Sequence, residues 1–254
     1  MIKQIAGIII IPILIFTLSS CQDAITNPPP VTPDQDFFPV DEGTIYNYDV
    51  SVYSNATLTQ SGLMKTYYGT DTLIRSVPYR VRVDSLQLNG TASVGNLYFR
   101  KSNSGIFYYV DTTGIAEIIP DTLLSFVDVD LEYRLLYQPL ETTQTWPVYR
   151  IQVAGLGINV LTIDAKSVLK DSLDITLPNL QTKKLVHQVH YAAVITVSST
   201  QPPLTFEAFA WFAEDIGIIK WEGDAEMLNF LFGENIFPDG TTVLMELSLF
   251  EHNG

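Results

Sequence analysis

His187 and His190, three residues apart, are the first candidates for chemistry in this 254-residue chain. His-x-x-His places two imidazoles on one side of a helix, but on a strand residues three apart point to opposite faces. Around them Leu185, Val189, Tyr191, Ala193, Ile195 and Val197 recur with a period of two, which predicts a strand. A single transition-metal ion needs its histidine nitrogens about 2.0–2.1 Å away, so the pair cannot converge on one. His187 therefore reads as a hydrogen-bonded core histidine, and no metal is expected. Asp128, Asp130 and Glu132 would share one face of a single strand, with neighbours about 6.6–6.8 Å apart. Calcium requires oxygens at about 2.3–2.6 Å converging from a curved loop, usually bent at a glycine. The segment has no such glycine, and the three acids read as a solvated stripe.

Other chemistries find less to work with. Asp111-Thr112-Thr113-Gly114 is one residue longer than the Asp-Thr-Gly of aspartic proteases, and its residue types belong in a turn. A serine or threonine nucleophile needs a neighbouring base. The sequence has no Gly-x-Ser-x-Gly, and only His187, His190 and His252 could serve as a histidine base. Gly155-Leu156-Gly157 opens a strand rather than a strand-to-helix turn, so no dinucleotide site follows. No cofactor is expected. The paired carboxylates of a glycan hydrolase stand about 5–9.5 Å apart in space and leave no signature in sequence. That chemistry is therefore retained as the alternative to a non-catalytic function.

The lone cysteine, Cys21, closes a leader in which Lys3 precedes an apolar run from Ile5 to Leu18. About 14 apolar residues suit a secretory signal and fall short of the roughly 20 that a spanning helix needs. Leu18-Ser19-Ser20-Cys21 resembles the lipobox of bacterial lipoproteins. The resemblance implies removal of residues 1–20, diacylglycerol on the Cys21 sulfur and membrane attachment through that lipid. Gln22 follows Cys21 where an aspartate would resemble an inner-membrane retention signal, so outer-membrane delivery is expected, with the face left open. Residues 21–37 carry Pro28, Pro29, Pro30 and Pro33 and predict an extended tether, rising about 3.1 Å per residue. No second cysteine exists for a disulfide, so stability must come from a core.

All 28 acidic residues follow residue 20, against 13 basic ones, a net charge near −15 for that part. Such a surface repels nucleic acid and anionic headgroups, which excludes nucleic acid as a partner and leaves membrane contact to the lipid.

From residue 38 to 254 the pattern predicts a single all-β domain, with two similar halves, 38–125 and 126–254, as an alternative organisation. Tyr46, Tyr48, Val50 and Val52 alternate with Asn47, Asp49 and Ser51, as a half-buried strand does. Val77, Tyr79, Val81 and Val83 alternate in the same way with Arg80, Arg82 and Asp84, and Pro78 belongs at an edge or near the start of that strand. Residues 96–101 and 106–111 flank a hairpin turn at Ser102-Asn103-Ser104-Gly105. Strands are also expected at 158–170, 184–197, 204–213, 218–222 and 242–251, with weaker ones near 131–137 and 149–153. Only Ala225 to Phe232 reads as helix. Short connections imply antiparallel neighbours, hence a meander of about 11–13 strands curved into a half-barrel, barrel or sandwich.

Phe37-Phe38-Pro39-Val40, Gly43 and Tyr46-Asn47-Tyr48 resemble the opening of a group of uncharacterised Gram-negative envelope lipoproteins. The segment from Trp211 to Lys220, with Ile216-Gly217-Ile218-Ile219 at its centre, is similar to the one before their closing strands. Tyr46 stands where that group often has tryptophan, and Ile219 where it has valine. The resemblance implies a curved antiparallel β domain and assigns no catalytic residue.

A ligand-binding wall can be read from the strand at 204–213, which is apolar on both faces. Ala208 and Ala210 alternate with aromatics there, and small residues between large ones leave room along a concave face. Ala208, Ala210 and Phe212, with Tyr191 and Trp221, are the candidate lining for an apolar ligand, and an ordinary filled core is the competing reading. The functional expectation is a non-catalytic, lipid-anchored binding or assembly module for an apolar small molecule or an envelope protein.

Overall fold

The computed structural model describes residues 35–111, 126–153, 158–196 and 202–252. Cys21 and the leader, the tether before Gln35, Thr112 to Gly114 and residues 155–157 lie outside the described residues. Gln35–Gly254 form one compact unit. Among the described residues no helix is long and apolar enough to cross a membrane.

The strands follow one another as β1 (Ile45–Ser54), β2 (Thr57–Ile74), β3 (Val77–Leu88), β4 (Thr91–Ser102) and β5 (Gly105–Tyr109). Next come β6 (Val127–Val129) and β7 (Glu132–Tyr137), then β8 (Thr145–Val153), β9 (Ile158–Leu177) and β10 (Leu180–Ile195). The chain ends in β11 (Leu204–Ala213), β12 (Gly217–Asp224), helix α1 (Ala225–Phe232) and β13 (Thr242–Glu251). All thirteen strands belong to one antiparallel sheet, in the order β6-β8-β9-β10-β11-β12-β13-β1-β2-β3-β4-β5-β7. The meander is thus confirmed, and β13 pairing with β1 joins its two runs, with Val50 opposite Met245.

A twisted sheet of more than about ten strands must curl or split, and this one curls. Its edge strands β6 and β7 are separated in sequence only by Asp130 and Leu131. Three residue steps reach at most about 10 Å, so the two edges meet at that link. The ladder does not close across them. Side chains bridge the seam instead: Trp146 of β8 donates Nε1–H to the Arg134 carbonyl of β7 at 3.3 Å, and the Tyr191 hydroxyl of β10 donates to the Leu135 carbonyl at 2.8 Å.

Aromatic and aliphatic side chains fill the interior, and each fully buried one contributes about 1.5–3 kcal/mol. Tyr46, Tyr48, Val50 and Val52 all point inward, as their alternation predicts. Phe37 and Phe38 are buried at one end of the roll, where Phe38 packs edge-on against Tyr68 and Phe99, and the Tyr46 hydroxyl donates to the Pro39 carbonyl at 2.8 Å. Gly217 lies beneath this plug at φ 93°, and a Cβ there would meet Tyr46 Oη at 2.9 Å. Helix α1 packs on the concave side, with Phe230 against Tyr133 and Tyr149 and Phe232 against Trp221. Eight residues are too few for a helix that stands alone; Gly233 ends it in the left-handed conformation, and the buried Asn229 carboxamide accepts from the Ile236 and Phe237 amides.

In β3 the expected sidedness is reversed. Val81 and Val83 lie half-buried on the outer face, while Arg82 and Asp84 point inward with Leu86 and Leu88. The charges tolerate burial because they satisfy each other. Arg82 Nε donates to Asp84 Oδ1 at 3.0 Å and Arg82 Nη1 to Tyr108 Oη at 3.1 Å, and Thr66 donates to Asp84 at 2.6 Å. The guanidinium also lies 5.1 Å from the Phe232 ring centroid. Burial works against its charge, yet Asp84 and Tyr108 keep its pKa above the ordinary arginine value.

Candidate functional site

The five residues of the candidate ligand wall do come together. Tyr191 pairs with Ala208 and Ala210 with Trp221, and the Trp221 ring lies 5.8 Å from Tyr191 and 6.5 Å from Phe212. All five side chains are buried, Trp221 at 2% exposure and the other four at 0%. They form a packed wall of the interior facing α1. A ring added at Ala210 is therefore expected to overpack that wall, with Ala210→Phe losing about 1–3 kcal/mol in urea unfolding.

His187 and His190 occupy opposite faces of β10. His187 is fully buried, with Nδ1 3.2 Å from Ser167 Oγ and its ring 5.0 Å from Phe37. Burial, and next the charge of Lys170, push its pKa down to about 4. His190 lies on the outer face, stacked 4.6 Å from Phe209, with Nε2 3.4 Å from the Glu207 carboxylate.

The acidic stripe is not one strand. Asp128 lies in β6, Glu132 opens β7 at the opposite edge of the sheet, and Asp130 sits in the link between them. Glu132 is not merely solvated either: Arg100 grips it with Nε at 2.6 Å and Nη2 at 2.5 Å, and Tyr79 donates to it at 2.5 Å.

This ion pair stands in the wall of a cleft of about 680 Å3 that lies along the seam. One side is built from the β2–β3 turn, β3, β4, β5 and β7, and the other from β8, so both ends of the sheet order line it. Its cations are Arg75, Arg100, Arg134 and Arg150, four of the six arginines in a chain of net charge −14, against the carboxylates Asp130 and Glu132. Tyr79, Phe107, Tyr109 and Tyr149 supply aromatic surface.

Two of the guanidinium groups are positioned by rings. Arg100 and Arg134 lie 4.4 and 4.9 Å from the Phe107 centroid, and Arg134 lies 5.2 Å from that of Tyr137. Such contacts contribute about 0.5–1 kcal/mol at exposed sites and more when desolvated. Arg100 is neutralised by Glu132. Arg134 and Arg75 have no ion pair among the described residues, and Arg150 has only a loose one to Asp164 at 3.7 Å. Two buried polar atoms here lack hydrogen-bond partners: Arg134 Nε and the hydroxyl of Tyr149, a residue 2% exposed. Burial, then the nearby charge of Asp130, pushes the Tyr149 pKa up to about 12, which keeps that hydroxyl a donor. Burial likewise tends to raise the Glu132 carboxyl, but the hydrogen bonds from Arg100 and Tyr79 outweigh it and hold the pKa below its ordinary value. Tyr79 is pushed up to about 12, by burial first and then by its bond to Glu132.

No spacing in the sequence marks Arg75, Arg100, Arg134 and Arg150 as a group, because they come from four separate elements. The one available signal was the scarcity of arginine in an acidic chain.

No family model and no curated protein matches the chain. Two solved structures are similar to it. A presumed lipoprotein from Parabacteroides distasonis ATCC 8503 aligns at 14% identity and TM-score 0.44, covering 87% of this chain and all of that one. A presumed exported protein with a YmcC-like fold from Bacteroides fragilis NCTC 9343 aligns at 16% identity and TM-score 0.44, covering 86% of this chain and all of that one.

Proposed function

We propose that the protein is a lipid-anchored lipoprotein of the outer membrane whose β domain is a non-catalytic binding module, with the seam cleft as its binding surface. The leader and the Leu18-Ser19-Ser20-Cys21 ending support the anchor. The observation that carries the binding role is the cleft itself: its volume falls within the roughly 300–1,000 Å3 of small-molecule sites, and aromatic walls combine there with a few convergent polar groups. The aromatic surface takes the apolar body of a small molecule. Glu132 is poorly suited to glycan hydrolysis, since a general acid needs a raised pKa and this carboxyl is lowered.

Attachment is tested by Cys21→Ser in the full chain. The parent should enter the detergent phase on phase separation, and the variant should stay in the aqueous phase with an unchanged urea midpoint. Partition of the variant with the detergent would mean that the apolar leader, not a lipid, holds the protein to the membrane.

A further inference from the structure

We infer that the ligand of the seam cleft carries an oxyanion, a carboxylate or a phosphate, received by Arg134 together with Arg150. The inference rests on the binding-module reading and names the ligand class. Three observations converge on it. The first is charge: arginines outnumber carboxylates in this cleft, against the sign of the whole chain. Focusing of a positive potential in a cleft raises the local concentration of anions.

The second is unmet hydrogen-bonding capacity. Buried donors almost always have partners, because leaving one unmade carries the full desolvation penalty of the group. Arg134 Nε and Tyr149 Oη break that rule in the same cleft. The third is geometry. A planar guanidinium held over a ring keeps its N–H edge available for the two oxygens of a carboxylate or phosphate, and Arg134 is stacked in this way on Phe107 and Tyr137. Arg100, in contrast, already has its carboxylate in Glu132, which shows the partner this cleft's guanidinium groups accept.

The test uses three probes that share an aryl ring: p-nitrophenyl β-D-glucuronide, p-nitrophenyl phosphate and the neutral p-nitrophenyl β-D-glucoside. Each is titrated into the full-length protein in detergent by calorimetry, at low salt. At least one acidic probe should bind with a Kd of about 1 mM or tighter, and more tightly than the glucoside. Which acid binds better decides between carboxylate and phosphate. Arg134→Gln should weaken that binding about ten-fold or more. Arg150→Gln, at a side chain 45% exposed, should weaken it too and guards against a folding defect at Arg134. Equal binding of the glucoside, or acid binding that survives both substitutions, would overturn the oxyanion assignment while leaving a binding module in place. Failure of all three probes would overturn both.

Discussion

Replacing Arg82 with alanine is expected to destabilise the protein by about 3–5 kcal/mol, the largest single effect foreseen here. The guanidinium is only 5% exposed, and its removal leaves the Asp84 carboxylate, 11% exposed, inside the roll with Thr66 as its remaining hydrogen-bond donor. An uncompensated buried charge, rather than the lost attraction, is the source of that cost. The physical cause is checked by a cycle. Arg82→Met/Asp84→Leu removes both charges and should cost clearly less than the two single changes added together, because neither double-mutant residue leaves an orphaned ion. Chemical unfolding at pH 7 measures the parent, Arg82→Ala, the singles Arg82→Met and Asp84→Leu, and the double variant. An Arg82→Ala variant within about 1 kcal/mol of the parent would show that this network does not support the core.

Acidification is expected to remove about 3 kcal/mol of stability through His187 alone. Its ordinary pKa is 6.5, and in the fold it is about 4. Above pH 6.5 the imidazole is neutral in folded and unfolded chains, and the site carries no penalty. Between pH 6.5 and 4 the unfolded chain takes up a proton that the folded one refuses, so unfolding gains about 1.4 kcal/mol per pH unit. Below about pH 4 the loss levels off. The imidazole is fully buried, so solvent screening does not soften the effect. His187→Asn keeps a partner for Ser167 without a titrating group. The gap between parent and variant should therefore move in favour of the variant from pH 7.5 to 4.5. Parallel pH profiles for the two proteins would contradict the assignment.

Period-two alternation revealed most of the sheet, because strands with one buried face write that face into every second residue. β1 is a case where the inward set could be named outright. Helix α1 stood out as the one apolar stretch that does not alternate. β2 was missed, since most of its residues from Thr57 to Ile74 are exposed or half-buried on both sides and select no period. β3 was read with its faces exchanged because valine outside and Arg82 inside defies the usual partition, and only the distant Thr66, Tyr108 and Phe232 make that arrangement stable. The break between Val129 and Glu132 was equally hidden: a two-residue link between opposite edges of a sheet is a consequence of rolling, which local pattern does not encode. The seam cleft follows from the same closure. Arg75, Arg100, Arg134 and Arg150 are brought together by topology, whereas the buried wall of Tyr191, Ala208, Ala210, Phe212 and Trp221 was legible because two neighbouring strands present it.

The most direct measurement of the central claim is the mass of whatever the protein carries. Native mass spectrometry of the full chain, purified gently from its native host, should show one small molecule bound per chain. Val77→Trp places a large ring at the cleft wall, on a residue already 38% exposed, and should strip that mass while leaving the urea midpoint unchanged. A parent that carries nothing, or a Val77→Trp variant that retains the same bound mass, would contradict the seam cleft as the binding surface.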